Sequence, residues 1–132
     1  MSTLQCSFKI ELGMPVLPGM VAMGKLDGKN PSLACGTSGN RVFVWSPHKQ
    51  GANNRVEVQY LNINRELKAL HAARLDSTKP DDALLVGSPS HVLAFNVEEN
   101  KDMYLNEVSD GVMCTTSGNV DGKVLCLVGG NC

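Results

Sequence analysis

Aromatic side chains are scarce in this sequence: one Trp, two Tyr and three Phe make up 5% of its 132 residues. They are not interleaved with Lys or Arg, which excludes a base-stacking platform for single-stranded nucleic acid. An excess of either charge is also missing. Twelve Lys and Arg face 13 Asp and Glu, for a net charge of −1 and a pI near 6.3, so neither a basic nucleic-acid footprint nor an acidic tail is present. Charged residues amount to 19%, below the roughly 25% of an ordinary globular domain, while apolar residues reach 42%. That balance excludes intrinsic disorder, because there is enough apolar surface to offset chain entropy. No run of about 18 apolar residues occurs, which excludes a membrane-spanning helix. A basic segment followed by an apolar core is absent from the start, so no signal peptide is expected.

Cysteine occurs five times (Cys6, Cys35, Cys114, Cys126, Cys132), an odd number with no C-x-x-C pair. A zinc site or a disulfide framework needs better spacing. The cysteines therefore read as small apolar residues of an intracellular, reducing setting.

What the sequence does contain is alternation. Leu4 to Leu12 alternates apolar and polar without a fault, the pattern of a half-buried strand. Gly13, Pro15, Pro18 and Gly19 then predict a turn before the next element. From Met20 the chain repeats itself. Met20–Gly24, the Asp27-Gly28 turn, Ser32–Thr37 and Arg41–Trp45 recur as Leu67–Leu75, Asp76, Ala83–Ser88 and His91–Val97. A third copy opens at Val112–Cys114, turns at Asp121-Gly122 and reaches Val124–Gly129. Gly36, Gly87 and Gly129 lie 51 and 42 residues apart, and Asp27, Asp76 and Asp121 lie 49 and 45 apart. Periods of about 40–50 residues with several short strands per unit define propeller blades.

The fold class expected is therefore all-β, an incomplete β-propeller. Residues 4–12 form a closing-type strand belonging to a missing last blade, 20–61 the first blade, 67–108 the second, and 112–132 the start of a third. Arg65 to Leu75 has the composition of a helix but occupies a strand slot of the repeat, and the repeat predicts a strand. The second strand of each copy is a continuous apolar run ending in Gly, as for an inner strand covered on both faces. Arg55–Tyr60 and Met103–Val108 alternate as outer fourth strands.

No catalytic, cofactor-binding or metal-ligating residue is assigned. Three Asp-Gly pairs (27–28, 110–111, 121–122) lack the further carboxylates of a calcium loop and read as hairpin turns. His48, following Pro47 in a loop, and His91, opening a strand, read as surface residues; His71 has no i, i+4 partner. Gly36-Thr37-Ser38-Gly39 lacks the Gly-Lys-Ser/Thr ending of a phosphate loop and precedes a strand rather than a helix. Trp45, Phe43 and Phe95 read as core or blade–blade packing.

Several ordered blocks carry a family resemblance. Met20–Gly28, Pro31–Ala34, Val42–Val44 with Pro47-His48, Asp82–Gly87 with Leu93-Ala94, Glu107–Gly111 and Gly129–Cys132 resemble, in this order, the opening of the Bardet–Biedl syndrome protein 2 family. The segments 50–66 and 76–81 match poorly. The resemblance implies a non-enzymatic subunit of the BBSome, a coat-like adaptor carrying membrane proteins into and out of cilia. It implies as partners the other BBSome subunits, an Arf-like GTPase, intraflagellar-transport trains and ciliary membrane-protein cargo, with no nucleic acid, no cofactor and no direct membrane insertion. The implied location is cytoplasm, cilium, the basal body or centrosome region and, through the complex, the ciliary membrane. Family members are much longer than this chain. Two other readings differ in kind. A propeller enzyme or lectin-like domain would need carboxylates or histidines clustered on one rim. A WD-type adaptor of another vesicle coat would show Gly-His and Trp-Asp signatures, which are absent.

Overall fold

The computed structural model describes residues 3–6, 9–50 and 56–130. Among them are ten strands and no helix. The first sheet is antiparallel in the order β1 (Val16–Gly24), β2 (Ser32–Thr37), β3 (Val42–Gln50), β4 (Val56–Tyr60). The second repeats that order with β5 (Ala69–Ala73), β6 (Ala83–Gly87), β7 (His91–Asn96) and β8 (Lys101–Glu107). A hairpin of β9 (Cys114–Val120) and β10 (Lys123–Gly129) begins a third unit. β5 lies beside both β1 and β9, so the first strand of each unit lines one side of the stack. This is an open, propeller-like arrangement of blades, and β5 is a strand despite its helix-forming composition.

Antiparallel pairing and alternation give each sheet two faces. We call the face toward the next unit its leading face and the opposite one its trailing face. The leading face of the first sheet (Met20, Ala22, Ala34, Val42, Val44) packs on the trailing face of the second (Leu70, Leu84, Val86, Leu93, Phe95), with Leu61, Ile63 and Leu67 of the connecting segment in the same cluster. A smaller cluster joins the leading face of the second sheet, through Ala73, Leu85 and Ala94, to Cys126 of the hairpin. Every residue of β6 is consequently buried, because it has a neighbour on both sides. In β2, only alternate residues are buried before Gly36 and Thr37. Leu84, Leu85 and Phe95 are fully buried, and burial of such side chains contributes roughly 1.5–3 kcal/mol each.

The structure corrects several expectations. The closing-type strand expected at Leu4–Leu12 concerns pairing with another blade; within this chain the described residues of the segment pair with no strand, and positions 7 and 8 lie outside them. Alternation alone supplies a face, whereas a strand also needs a partner edge for its backbone groups. Ile10 and Leu12 instead lie half-buried against the trailing face of the first sheet. The predicted turn at Pro18-Gly19 is absorbed into β1, which begins at Val16: Gly19 adopts φ +72° and the register to β2 shifts between Val16 and Val21. A bulge on an edge strand accommodates both residues. Likewise β3 runs on through Pro47, with its own register shift against β4 between Trp45 and Gln50, so His48 is in a strand rather than a loop. Of the three Asp-Gly pairs only Asp121-Gly122 is a two-residue hairpin, with φ of 50° and 80° as a type I′ turn requires. Asp27-Gly28 sits in a longer β1–β2 connection, and Asp110-Gly111 links the second unit to the third.

Candidate interaction surface

Polar contacts at the seams fix how the units sit. In the β1–β2 connection, Asp27 Oδ1 accepts hydrogen bonds from the backbone N–H groups of Lys29 (2.8 Å) and Asn30 (2.7 Å). These backbone donors, aided by the charge of His48, lower the Asp27 carboxyl to a pKa of about 2. Asp27 Oδ2 lies 2.8 Å from His48 Nε2, and the two side chains are only 15% and 23% exposed. Continuation of β3 past Pro47 is what brings that imidazole to the loop. The second unit then grips the same loop. Asp82 Oδ2 accepts from Lys25 N–H at 2.8 Å, while Asp82 N–H donates to the Lys25 carbonyl at 2.9 Å.

Two asparagines in the left-handed region pin the connection between the first two sheets. Asn40 (φ 57°) accepts from Leu67 N–H at 3.2 Å, and Asn100 (φ 52°) accepts from Asn62 N–H at 3.1 Å. Asparagine tolerates that conformation in turns. A Lys49–Glu98 ion pair of 3.1 Å also crosses the seam, but it is half exposed and contributes little. At the second seam His71 Nε2 lies 2.8 Å from Ser117 Oγ, a contact between β5 and β9. Among the described residues no carboxylate is hydrogen-bonded to His71, so the group that would orient the imidazole for nucleophilic chemistry is not brought there. His91 Nδ1 lies 2.7 Å from its neighbour Ser90 Oγ.

Among the described residues, no group of three or more His, Cys, Asp or Glu is placed to hold a metal ion. Gly36–Gly39 forms the β2–β3 turn, where Thr37 N–H and hydroxyl both contact the Arg41 carbonyl at 3.0 Å and Ser38 N–H bonds Pro15 O. Ser88 repeats the Thr37 arrangement, with its N–H 2.9 Å and its hydroxyl 3.0 Å from the His91 carbonyl. These are turn-closing contacts. Arg41 lies 5.4 Å above the Tyr60 ring, which meets Phe43 edge-on at 5.2 Å.

Sequence reasoning missed one feature, the trailing face of the first sheet. Phe95 is fully buried between units, but Phe43 and Trp45 are half-buried beside an apolar pocket of about 180 Å³. That pocket lies between Ile10 and Leu12 on one side and Leu33, Cys35, Phe43 and Trp45 on the other. Its signal was present in the opposed pairs Val42/Val44 and Phe43/Trp45, both apolar, which specify a sheet meant to be covered twice.

An open stack of four-stranded antiparallel units, joined by apolar faces and short polar clasps, places this chain among the β-propeller-like proteins. Residues 22–118 match the family model described as ciliary BBSome complex subunit 2, N-terminal. The chain is 35% identical over 138 residues to the human BBSome complex member BBS2, and 33% identical over 137 residues to that of Danio rerio, each alignment covering 95% of this chain. The Caenorhabditis elegans BBSome complex member bbs-2 is 32% identical over 75 residues, 54% of this chain. The chain spans about a fifth (19%) of the length of the vertebrate relatives. It belongs to the BBSome complex subunit 2 family.

Proposed function

We propose that this chain is a non-enzymatic interaction scaffold of a BBSome-type assembly, acting in ciliary membrane-protein trafficking and cilium biogenesis. The observation that carries this reading is the match to the BBSome subunit 2 family over residues 22–118, continued by alignment over 95% of the chain. Its direct partners are other subunits of that assembly. An Arf-like GTPase, intraflagellar-transport trains and the tails of ciliary membrane cargo are reached through the complex, which places the chain in the cytoplasm, at the basal body, in the cilium and peripherally at its membrane. The fold supports this role in a physical sense. Its polar side chains are engaged at seams and turns, among them the Asp27–His48 and Asp82–Lys25 contacts.

The test is affinity capture of the tagged chain from ciliated cells, with BBSome subunits quantified by mass spectrometry against a tag-only control. Enrichment of several subunits together is the expected result. Recovery of none above the control, while a tagged full-length relative recovers them, overturns the proposal.

A further inference from the structure

The seam between the first and second sheets holds a polar cavity of about 500 Å³. Its walls are the β2–β3 turn at Asn40 and Arg41, the end of β4 at Tyr60, and residues 61–66 of the connecting segment. The strands at the two ends of the chain contribute nothing to it. The walls are well anchored. Leu61, Ile63 and Leu67 are buried in the core, and Leu61 N–H donates to the Val42 carbonyl at 3.0 Å. Asn40 and Asn100 hold the segment at Leu67 and Asn62.

Two guanidinium groups line this cavity, those of Arg41 and Arg65. Arg41 lies over the Tyr60 ring and donates to the Tyr60 hydroxyl, which orients its plane and leaves further N–H groups to donate. Arg65 is half-buried. Among the described residues neither is ion-paired with a carboxylate. Glu66, in the same wall, is instead paired with Lys68 at 3.1 Å. The adjoining depression, which shares Asn62, Asn64 and Arg65, adds Lys101 and Asp102 and so no further net charge.

The second seam shows that joining two units does not require this charge. Leu67 packs on Gly36 as Val112 packs on Gly87, so Arg65, two residues before Leu67, corresponds to Asp110. Arg41 precedes Val42, the partner of Gly36, as His91 precedes Val92, the partner of Gly87. The arginine pair therefore belongs to the first seam alone.

We propose that this cavity binds an acidic peptide segment of a partner protein, with a Glu or Asp carboxylate held by Arg41 and Arg65. A guanidinium fork matches the two oxygens of a carboxylate. The side-chain amides of Asn62 and Asn64, exposed on the same wall, supply donors and acceptors for an extended peptide backbone. A nucleotide fits worse. Arg41 already covers the Tyr60 ring, Phe43 meets that ring edge-on, and the described lining residues include neither a lysine nor a helix N-terminus. This inference stands apart from the proposed BBSome role, because a purified peptide reports it with no assembly present.

Fluorescence anisotropy of a labelled peptide of alternating Glu and Ser, titrated with the 132-residue chain, tests it. The same peptide with Gln for Glu is expected to bind at least about tenfold more weakly, through loss of charge-assisted hydrogen bonds. Arg41→Gln and Arg65→Gln should each weaken binding of the Glu peptide about tenfold. Arg65→Lys should weaken it less, since it keeps the charge but not the fork. Lys123→Gln, which removes an exposed positive charge from the β9–β10 hairpin, should leave binding unchanged. Circular dichroism checks that each variant keeps its sheets, and the comparison of Glu with Gln peptide needs no variant. Equal binding of the two peptides overturns the proposal, as does binding that neither Arg variant weakens. An equal loss in Lys123→Gln overturns it by showing charge attraction alone. Inorganic phosphate that displaces the label as effectively as unlabelled peptide also overturns it, by assigning the cavity to a phosphate group.

Discussion

Gly87 lies directly beneath Val112: a Cβ at position 87 would fall 2.5 Å from Val112 Cγ1 and 2.9 Å from its Cβ. Val112 is fully buried and belongs to the connection that opens the third unit. Leu67 stands in the same relation to Gly36, one unit earlier, with its Cδ1 3.1 Å from the Cβ position. Each glycine therefore admits an aliphatic side chain from the unit that follows, and the glycine periodicity of the sequence records the stacking of blades.

Gly87→Ala is expected to destabilise the fold by about 2 kcal/mol, since the β-branched Val112 cannot swing aside. Gly36→Ala should cost less, about 1 kcal/mol, because Leu67 meets the new methyl with the end of a flexible side chain. Gly118, with nothing within 4 Å of its Cβ position, is the control and should tolerate Ala. Urea midpoints measure all three. Val112→Ala removes the 2.5 Å Cγ1 contact and keeps the 2.9 Å Cβ contact, so Gly87→Ala should cost less in the Val112→Ala background than alone.

Thr115 Oγ1 is buried without a hydrogen-bond partner. Replacement by the isosteric Val removes a desolvated hydroxyl and keeps the β-branched shape, so Thr115→Val should be neutral or stabilising by up to about 1 kcal/mol. A loss of stability in thermal or urea unfolding would contradict this reading.

Acid should loosen the β1–β2 connection. Asp27 has a folded pKa of about 2, depressed below its ordinary value of 3.8 by the Asn30 and Lys29 backbone donors. A depressed carboxyl contributes stability that is fully present above its unfolded pKa and is lost as pH falls through the folded value. The loss attributable to Asp27 therefore lies between about pH 4 and pH 2. Asp27→Asn keeps an acceptor for the same N–H groups but cannot titrate. Its urea midpoint should fall less over this window than that of the wild type, and parallel acid limbs would contradict the assignment.

Thiol reactivity should follow burial. Desolvation raises the pKa of the half-buried Cys35 and Cys126, whereas Cys114 is exposed. Timed alkylation at pH 8, read by peptide mass spectrometry, should label Cys114 well before Cys35 and Cys126. Equal rates would mean that the seam around Cys126 opens on the labelling timescale.

The sequence by itself determined the unit and its period. The apolar runs, the recurring glycines and the Asp121-Gly122 turn are local or nearest-neighbour features, and they sufficed for three successive units of antiparallel strands. They also overrode the helical composition of Arg65 to Leu75, because this slot supplies the edge strand that pairs with β6. Tertiary structure alone decided the matters that depend on what lies alongside. Leu4 to Leu12 has a flawless strand pattern and no strand in its described residues, since alternation cannot supply a partner edge. Pro18 and Pro47 look like breakers, yet both are held within strands where bulges and register shifts absorb them. The Asp27–His48 pair, 21 positions apart, arises only when β3 runs on past Pro47 beside the β1–β2 connection, and the Asp82 grip on Lys25, 57 apart, only when the two sheets stack. Phe95 and Trp45 occupy equivalent places in the repeat, paired with Leu84 and Leu33. Phe95 is fully buried under the first sheet, and Trp45 is half-buried on a face against which Ile10 and Leu12 lie.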